Sequence, residues 1–329
     1  MSKARVHYFD NARFLLIVLV VFGHLLRSYI HDNHFLQALY MFIYSFHMPA
    51  FVLISGYFAK GIHKSGYLMK VTKKLLLPYI IFQSFYAFYY YYIDDVSTLD
   101  LNPFDPQWAM WFLLSLFTWQ LMLFIIKDVR PWLMITSAFI VGIAVGYFPF
   151  INNLLSLSRT FVFFPLFLIG FYAQPEQFKY IRNKKFVPIS VLMLALVFAF
   201  YMVTNFNFEW LFGSKPYETL EHKQADIYSG AKRAFIYCII LISTISFLNI
   251  VPNRKLPLTY IGSRTMFIYL LHGLFIGLFR VNHWDDYFKD GVASIIIFSV
   301  LVTIFLVYTL SMNATKKIAA PVVELKKPS

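Results

Sequence analysis

Two polar side chains inside the first hydrophobic stretch of the chain could do chemistry together. Arg13 is followed by an uncharged run from Phe14 to Gly23, and then by His24. On an α-helix this spacing is close to three turns, so both side chains point the same way, about 16 Å apart along the axis. A guanidinium and an imidazole in an apolar helix cost free energy unless they serve a ligand. The spacing suits a long anionic ligand threaded between them.

Two further histidines, His47 and His272, also fall inside predicted apolar spans, and all three lie near the middle third of their span. A single intramembrane histidine is often only a hydrogen-bonded helix contact, whereas three neutral imidazoles could also bind zinc. No paired spacing such as His-x3-His accompanies them. We therefore expect no metal site, and we take His24 as the catalytic base, with His47 and His272 as further catalytic candidates.

The acidic residues bear on mechanism through their positions. All sixteen carboxylates fall outside the central parts of the predicted spans. A proton- or sodium-coupled transporter usually keeps an acidic residue near mid-membrane, so this distribution argues against one. A Ser-His-Asp arrangement is also poorly supported, because Asp10 would lie about 21 Å from His24 along one helix. We expect Asp10 to pair with Arg13, three residues later.

The elements that carry these residues must be membrane helices. The 329-residue chain is 59% hydrophobic and only 14% charged, whereas soluble domains carry about 25% charged residues. Its net charge of +13 is spread over short loops and no RNA-binding signature is present, so no nucleic-acid partner is expected. The single cysteine excludes an intrachain disulfide and a cysteine-based metal site. No signal-peptide cleavage site follows the basic N-terminus, so the first apolar stretch should remain as a helix.

Apolar runs of about 20 residues predict an all-α, polytopic membrane protein with about ten transmembrane helices. Pro78 and Pro165 interrupt the third and sixth of these segments. Placing both termini in the cytoplasm puts most of the lysines and arginines on the inner side, as the positive-inside rule requires. The predicted spans are 12–31, 35–59, 72–93, 108–126, 131–147, 160–174, 187–204, 232–250, 263–281 and 291–313.

One integral-membrane domain is expected to fill residues 1–329. Its helical bundle would cover about 8–313, and residues 314–329 would form a basic cytoplasmic tail. The longest predicted outer loop, 205–231, is too short for a domain but long enough for a lid or a sugar-contacting surface.

The second predicted helix contains two positions that shape its packing. Pro49 removes a backbone donor and frees a carbonyl one turn earlier, near Ser45. Ser55 and Gly56 are small enough to permit the close approach of another helix.

Four basic residues open predicted helices near the membrane surface. Lys73 and Lys74 could be ordinary topology signals or a clamp for ligand phosphates, where lysine acts as a point charge. Arg159, flanked by hydroxyl side chains, is the candidate for acceptor contacts, and Arg264 opens the ninth helix. Snorkelling is the alternative explanation for the two arginines.

These segments, in this order, resemble the acyltransferase 3 family of integral-membrane acyltransferases over nearly the whole chain. The run Ser-Leu-Ser-Arg159-Thr-Phe and the His-Met-Pro sequence at His47 resemble its fucose 4-O-acetylase-like branch. The motifs that carry the resemblance are Asp10-x-x-Arg13-x10-His24, Phe46-His-Met-Pro-Ala-Phe-Val-Leu-Ile-Ser-Gly56, Lys73-Lys74 with Leu-Pro78-Tyr79, Trp111-Phe-Leu113 and Tyr269-Leu-Leu-His272.

The resemblance implies an O-acyltransferase in the bacterial cytoplasmic membrane, in contact with membrane lipids. It implies acyl-CoA, expected to be acetyl-CoA, as a co-substrate rather than a permanently bound cofactor, and a carbohydrate hydroxyl as the acceptor. Arg13 and His24 match the functional pair of the family. Direct transfer and a covalent acyl-His24 relay both stay open, as does the rival class of a transporter or flippase for a lipid-linked saccharide.

The expected roles divide the polar residues into three sets. The catalytic set is His24, Arg13, His272 and His47. The acyl-CoA-binding set is Arg13, Lys73, Lys74 and Arg264. The acceptor-binding or supporting set is Arg159, Tyr269, Ser55 and Asp10.

Overall fold

A computed structural model describes residues 7–31, 33–62, 65–93, 98–126, 129–151, 154–288 and 291–325. Within these ranges every regular element is helical, which agrees with the predicted all-α class. The α-helices are α1 His7–Leu26, α2 His34–Tyr44, α3 His47–Phe58, α4 Tyr67–Val71, α5 Leu77–Ile93, α6 Trp111–Ile125, α7 Pro131–Ala144, α8 Leu157–Tyr172, α9 Pro175–Ile181, α10 Val187–Val203, α11 Tyr217–Glu221, α12 Ile227–Ile250, α13 Thr265–Val281, α14 Val292–Leu310 and α15 Asn313–Val323.

Shorter helical turns link several of these helices. Thr72–Leu76 is a π-helical turn between α4 and α5. The 3₁₀ turns are Trp108–Met110, Val145–Tyr147, Leu154–Ser156, Lys184–Phe186, Phe208–Phe212, Thr259–Ser263 and Trp284–Phe288.

Six helical stretches in the described residues are long and apolar enough to cross a membrane. The pair α8 and α9, bent by 104°, would add a seventh. The remaining predicted spans are helical but shorter; α5 and α13, for example, have 17 residues each, or about 26 Å of helix, against about 30 Å of hydrocarbon. The residues that the structure describes thus form an all-helical membrane protein, and the number of ten spans stays a prediction. The six stretches are His7–Leu26, His34–Phe58, Trp108–Ile125, Lys184–Val203, Ile227–Ile250 and Val292–Leu310.

The first helix lies about five residues earlier than predicted. It ends at Leu26 because the chain then turns. The backbone N–H groups of Ser28 and Tyr29 donate to the oxygens of Leu25 and Leu26, three residues earlier instead of the four of an α-helix. His24 therefore lies in the last turn of α1, and its predicted position near the middle of the span is wrong. The apolar residues Tyr29 and Ile30, which are buried in the turn, concealed this boundary in the sequence.

The proline positions correct two further expectations. Pro165 lies inside the continuous helix α8, so the predicted interruption of the sixth segment is wrong. The third segment is interrupted, but by the π-helical turn that precedes Pro78. Pro78 is the second residue of α5, where its missing N–H has little consequence. In the second predicted span, two turn residues, Ser45 and Phe46, separate α2 from α3 within the stretch His34–Phe58.

The free carbonyl that Pro49 was expected to create is present and has a donor. The Ser243 hydroxyl lies 3.3 Å from the backbone oxygen of Ser45, four residues before Pro49. The hydroxyl replaces the backbone N–H that Pro49 lacks as the donor to the Ser45 oxygen. Side-chain hydroxyls of this kind allow a proline to be tolerated in a membrane helix.

The contacts divide the chain into two compact units. The first comprises residues 1–51, 175–205 and 241–329, and the second comprises 52–174 and 206–240. In the first unit, α1 packs against α2, α13, α14 and the turn Thr259–Ser263, so it is the central helix there. The expected single domain stays a prediction. Within the region predicted as a tail, α15 contacts α13 and α14.

In the second unit, α3 and α8 pack through a reciprocal pair of glycines. A Cβ atom on Gly56 would collide with the backbone oxygen of Phe167, and one on Gly170 with that of Leu53. The two helix backbones are therefore in contact, which confirms the close approach predicted for Ser55 and Gly56.

We predict that Gly56→Ala and Gly170→Ala each lower the thermal unfolding midpoint in detergent. The added methyl group meets a rigid backbone carbonyl, and overpacking of this kind typically costs about 1–3 kcal/mol. Ser55→Ala is the matched control, because Ser55 is half-buried on the same helix beside Gly56. Glycine variants as stable as Ser55→Ala would contradict the close packing.

Candidate active site

Arg13 and His24 lie on one uninterrupted helix, as predicted. Helix α1 is continuous through both residues, so the three-turn spacing holds and both side chains share a face. The predicted ion pair is also present: an Asp10 carboxylate oxygen lies 3.7 Å from a guanidinium nitrogen of Arg13. Asp10 is almost fully buried, whereas the Arg13 side chain keeps 29% of its surface. Arg13 is thus held by Asp10 and still accessible to a ligand.

The start of α1 is fixed by side chains that the sequence did not single out. Asn11 is buried; its amide donates 2.8 Å hydrogen bonds to the carbonyls of Pro252 and Arg254, and its oxygen accepts from the Thr259 hydroxyl at 2.6 Å. The Tyr8 hydroxyl donates to the carbonyl of Leu248 at 2.7 Å. These bonds set the position of the turn of α1 that carries Asp10 and, one turn later, Arg13.

A glycine brings the loop before α13 against this end of α1. A Cβ atom on Gly262 would collide with the backbone of Asp10. At the other end of the two helices, Arg280 in the last turn of α13 contacts the last turn of α1. Helices α1 and α13 therefore run parallel, and His24 and His272 meet between them.

The three predicted histidines come together in the first unit, around Tyr44. The ring centroids of His24 and His272 are 5.4 Å apart. The Tyr44 ring lies 4.4 Å from that of His47 and 6.5 Å from that of His24. Sequence reasoning identified the histidines but gave no sign of Tyr44, which reaches the cluster because α2 packs against α1.

The hydrogen bonds of His47 and His272 define the tautomer of each neutral ring, that is, which ring nitrogen bears the hydrogen. In each ring Nδ1 lies 2.9 Å from the backbone oxygen four residues earlier, that of Ile43 or Ile268. A carbonyl oxygen can only accept, so Nδ1 must carry the hydrogen and Nε2 presents a lone pair. As neutral rings, both histidines can accept a proton at Nε2 but cannot donate one there.

His24 differs from its two neighbours in accessibility. His47 and His272 keep only 2% and 0% of their surface, whereas His24 is half-buried. Of the three histidines, His24 keeps the largest exposed fraction of its surface. This difference supports His24 as the reacting group, with the other two behind it.

Arg280 contacts the same turn and was missed by sequence reasoning. Its guanidinium donates a 2.9 Å hydrogen bond to the backbone oxygen of His24. In a continued helix the N–H of Ser28 would bond to this oxygen, but Ser28 bonds to Leu25 instead. A cation is also favourable at a helix C-terminus. In the sequence, an arginine at the end of an apolar helix resembles an ordinary snorkelling residue.

Two other candidates in the first unit have clear structural surroundings. Tyr269 is buried and its ring centroid lies 6.3 Å from that of His272, so the predicted shared face is confirmed. Arg264 donates to the backbone oxygen of Ser311 and, at 2.7 Å, to the side-chain oxygen of Asn313. These bonds join the end of α14 to the start of α15 and explain the position of Arg264. Its part in acyl-CoA binding stays a prediction.

The remaining candidates belong to the second unit. Lys73 and Lys74 are exposed on the π-helical turn, and Ser55 is half-buried on α3. The half-buried Arg159 places its guanidinium 5.3 Å from the ring centroid of Trp111. Their roles in binding acyl-CoA or the acceptor stay predictions.

The predicted outer loop forms a folded segment of the second unit. Trp210 and Tyr217 are buried and stack at 5.2 Å, and the buried Arg233 donates to the Trp210 carbonyl at 2.7 Å. Burial raises the pKa of Glu221, but hydrogen bonds from Ser229 and Lys232 outweigh it and leave that pKa below its ordinary value. Trp210 therefore packs inside the segment and is not part of an exposed sugar-contacting surface.

No group of three histidine, cysteine, aspartate or glutamate side chains that could hold a metal ion occurs in the described part of the chain.

Comparisons with known proteins agree with the resemblance seen in the sequence. A family model described as an acyltransferase domain, that of acyltransferase 3, matches residues 6–312. Nodulation protein NolL of Sinorhizobium fredii (strain NBRC 101917 / NGR234) is 29% identical over 178 residues, which cover 50% of this chain and 47% of the relative. Nodulation protein NolL of Mesorhizobium japonicum is 30% identical over 184 residues, 51% of this chain and 48% of the relative. No solved structure shows significant similarity to the chain.

The family model spans more than nine tenths of the chain, from the Arg13 and His24 helix to the end of α14. The chain therefore belongs to the acyltransferase 3 family. The matched region covers about half the length of the curated relatives.

We predict that Arg280→Gln slows acyl transfer about tenfold or more without changing the KM for the acyl donor. A hydrogen bond to a charged group contributes roughly 1.5–3 kcal/mol, and about 1.4 kcal/mol is a factor of ten in rate. Its loss should let the turn that carries His24 shift. Arg280→Lys, which keeps a cation at the end of α1, should recover part of the rate. A glutamine variant with the wild-type kcat would rule out this positioning role.

Proposed function

We propose that the protein transfers an acyl group, expected to be acetyl, from acyl-CoA to a hydroxyl of a cell-surface or lipid-linked carbohydrate. The observation that carries the proposal is the geometry of α1, which places a partly exposed Arg13 guanidinium and a half-buried His24 on one face of one helix. The chain that carries them belongs to the acyltransferase 3 family. The acetyl group and the sugar acceptor rest on the likeness of the Arg159 segment to the fucose 4-O-acetylase-like branch.

Arg13 would hold the phosphates of coenzyme A while the pantetheine arm extends along α1 toward His24. Coenzyme A has its phosphates at one end and its thioester at the other, so it matches a cation and a base about 16 Å apart. Asp10 orients the guanidinium through the 3.7 Å ion pair. Lys73 and Lys74, which belong to the second unit, stay candidates for phosphate binding on the sequence alone.

His24 would act as the general base. A ring nitrogen takes the proton from the acceptor hydroxyl while the hydroxyl oxygen attacks the thioester carbon. The tetrahedral intermediate then collapses, the C–S bond breaks, and the departing thiolate takes the proton from the imidazolium. The products are an O-acyl ester and free coenzyme A. General-base catalysis of this kind typically contributes 10² to 10⁴-fold in rate.

The developing oxyanion requires a hydrogen-bond donor. Neutral His47 and His272 use their Nδ1 hydrogens on backbone oxygens, so neither has a hydrogen to offer at Nε2. The hydroxyl of Tyr269 is therefore the preferred donor among the candidates. His272, 5.4 Å from His24 between ring centroids, is better suited to accepting a hydrogen bond and orienting the base.

The membrane arrangement completes the proposal. We place the protein in the bacterial cytoplasmic membrane with ten spans and both termini in the cytoplasm, so that the Arg13 end of α1 meets cytoplasmic acyl-CoA. His24, at the opposite end of α1, would then face an acceptor in the outer half of the membrane.

We predict that His24→Ala lowers kcat for acetyl transfer by about 10² to 10⁴-fold, whereas Arg13→Ala chiefly raises the KM for acetyl-CoA. Each variant is expressed in a strain that lacks the native gene, and membranes of that strain are supplied with labelled acetyl-CoA. The assay measures the labelled acetyl group in the surface glycans. Mass analysis of these glycans also identifies the acceptor. His31→Ala and Arg254→Ala are matched controls, since both side chains are exposed in the first unit.

Normal transfer by correctly inserted His24→Ala protein would refute the assignment. The absence of any acetyl-CoA consumption by the wild-type protein would instead favour a flippase for a lipid-linked saccharide. Rapid quenching without acceptor separates the two chemical routes, because only the relay accumulates labelled acyl-His24.

A further inference from the structure

A surface groove of about 360 Å³ lies in the first unit between α10 and the last turns of α12. Its walls are aliphatic and include Ile189, Met193, Ile242 and Ile245. The isoleucines keep between 43% and 53% of their surface, so they form an exposed rim. Helix α10 packs extensively against α2, and the groove separates its other side from α12.

One end of this groove is polar rather than aliphatic. Ser190, Ser246 and Asn249 line it and are all buried. Ser190 lies in the first turn of α10 and Asn249 in the last turn of α12. Both helices therefore reach the membrane surface at this end, where lipid headgroups are found.

Asn249, which lines the groove, has a side-chain acceptor without a partner. Its side-chain nitrogen donates to the backbone oxygens of Ile181 and, at 3.1 Å, Asn183. Two carbonyl acceptors can be served only by the NH2 group, which fixes the orientation of the amide. The oxygen, in a side chain only 6% exposed, has no hydrogen-bond partner in the described part of the chain. A buried acceptor of this kind costs free energy until a donor satisfies it.

Two cations stand beside the polar end. Lys184 and Lys185 occupy the turn immediately before α10, and Phe186 of the same turn lines the groove. Both lysines are exposed, and neither forms an ion pair with any residue that the structure describes. Basic residues at a membrane surface attract anionic lipid headgroups.

We infer that the groove binds one anionic membrane phospholipid. An acyl chain lies between α10 and α12, a headgroup hydroxyl donates to the Asn249 oxygen, and the phosphate faces Lys184 and Lys185. The aliphatic wall suits an acyl chain, and the buried acceptor and the cation pair at its polar end suit the hydroxyl and phosphate groups of such a headgroup. The inference does not depend on the acyltransferase mechanism.

The test is native mass spectrometry of the purified full-length protein, released from detergent micelles after titration with phosphatidylglycerol or phosphatidylcholine. We expect one phosphatidylglycerol to remain bound to the wild-type protein. The double substitution Lys184→Gln and Lys185→Gln should lower its apparent affinity roughly tenfold or more. Met193→Trp, which fills the groove, should also reduce retention; its folding is checked by the thermal unfolding midpoint.

The matched control is Lys316→Gln with Lys317→Gln, since these lysines are an exposed pair on α15 and carry the same charge. Retention of phosphatidylglycerol by this control, together with its loss from the Lys184 and Lys185 variant, supports the site. Three results would overturn it. The two lysine variants could lose phosphatidylglycerol equally, or the wild-type protein could retain phosphatidylcholine equally well. The protein could also retain a polyprenyl phosphate in place of a phospholipid.

Discussion

The structure of the first unit depends on how both ends of α1 are fixed within an apolar surrounding. At one end, Asp10 pairs with Arg13 while Asn11 satisfies backbone groups of a loop more than 240 residues away in sequence. At the other end, Arg280 satisfies the carbonyl of His24. Polar groups inside a membrane protein must be satisfied internally, because lipid offers no hydrogen bonds. The hydrogen bonds and the ion pair that satisfy these polar groups of α1 also hold the Arg13 guanidinium and the His24 imidazole at a fixed separation.

The chemistry that we propose follows from this fixed separation and from the unequal surroundings of three histidines. Two of them are buried, and each donates its Nδ1 hydrogen to a backbone oxygen, whereas His24 is only half-buried. A less buried imidazole beside two rings that can only accept at Nε2 is suited to taking a proton from a hydroxyl. The proposed reaction class rests on the family membership, and the proposed roles rest on the geometry of these residues.

The sequence predicted those features that depend on local spacing. The Asp10 and Arg13 pair, the shared helix of Arg13 and His24, the free carbonyl near Ser45 and the close approach at Gly56 all follow from helix geometry over a few turns. The contacts of Asn11 and Arg280 could not be predicted, because their partners lie more than 240 residues away. The end of α1 was misplaced for a related reason: hydrophobicity alone does not distinguish a buried turn from a helix, so His24 was expected near mid-span.

The central claim is that Arg13 and His24 contact the two ends of one acyl-CoA molecule. The most direct measurement is an electron cryomicroscopy structure of the protein with a non-hydrolysable acetyl-CoA analogue. We expect the analogue's phosphates to contact the Arg13 guanidinium and its thioester-mimicking carbonyl to lie beside the His24 ring. An analogue bound with its phosphates away from Arg13, or side chains of Arg13 and His24 that open into separate cavities, would contradict the account.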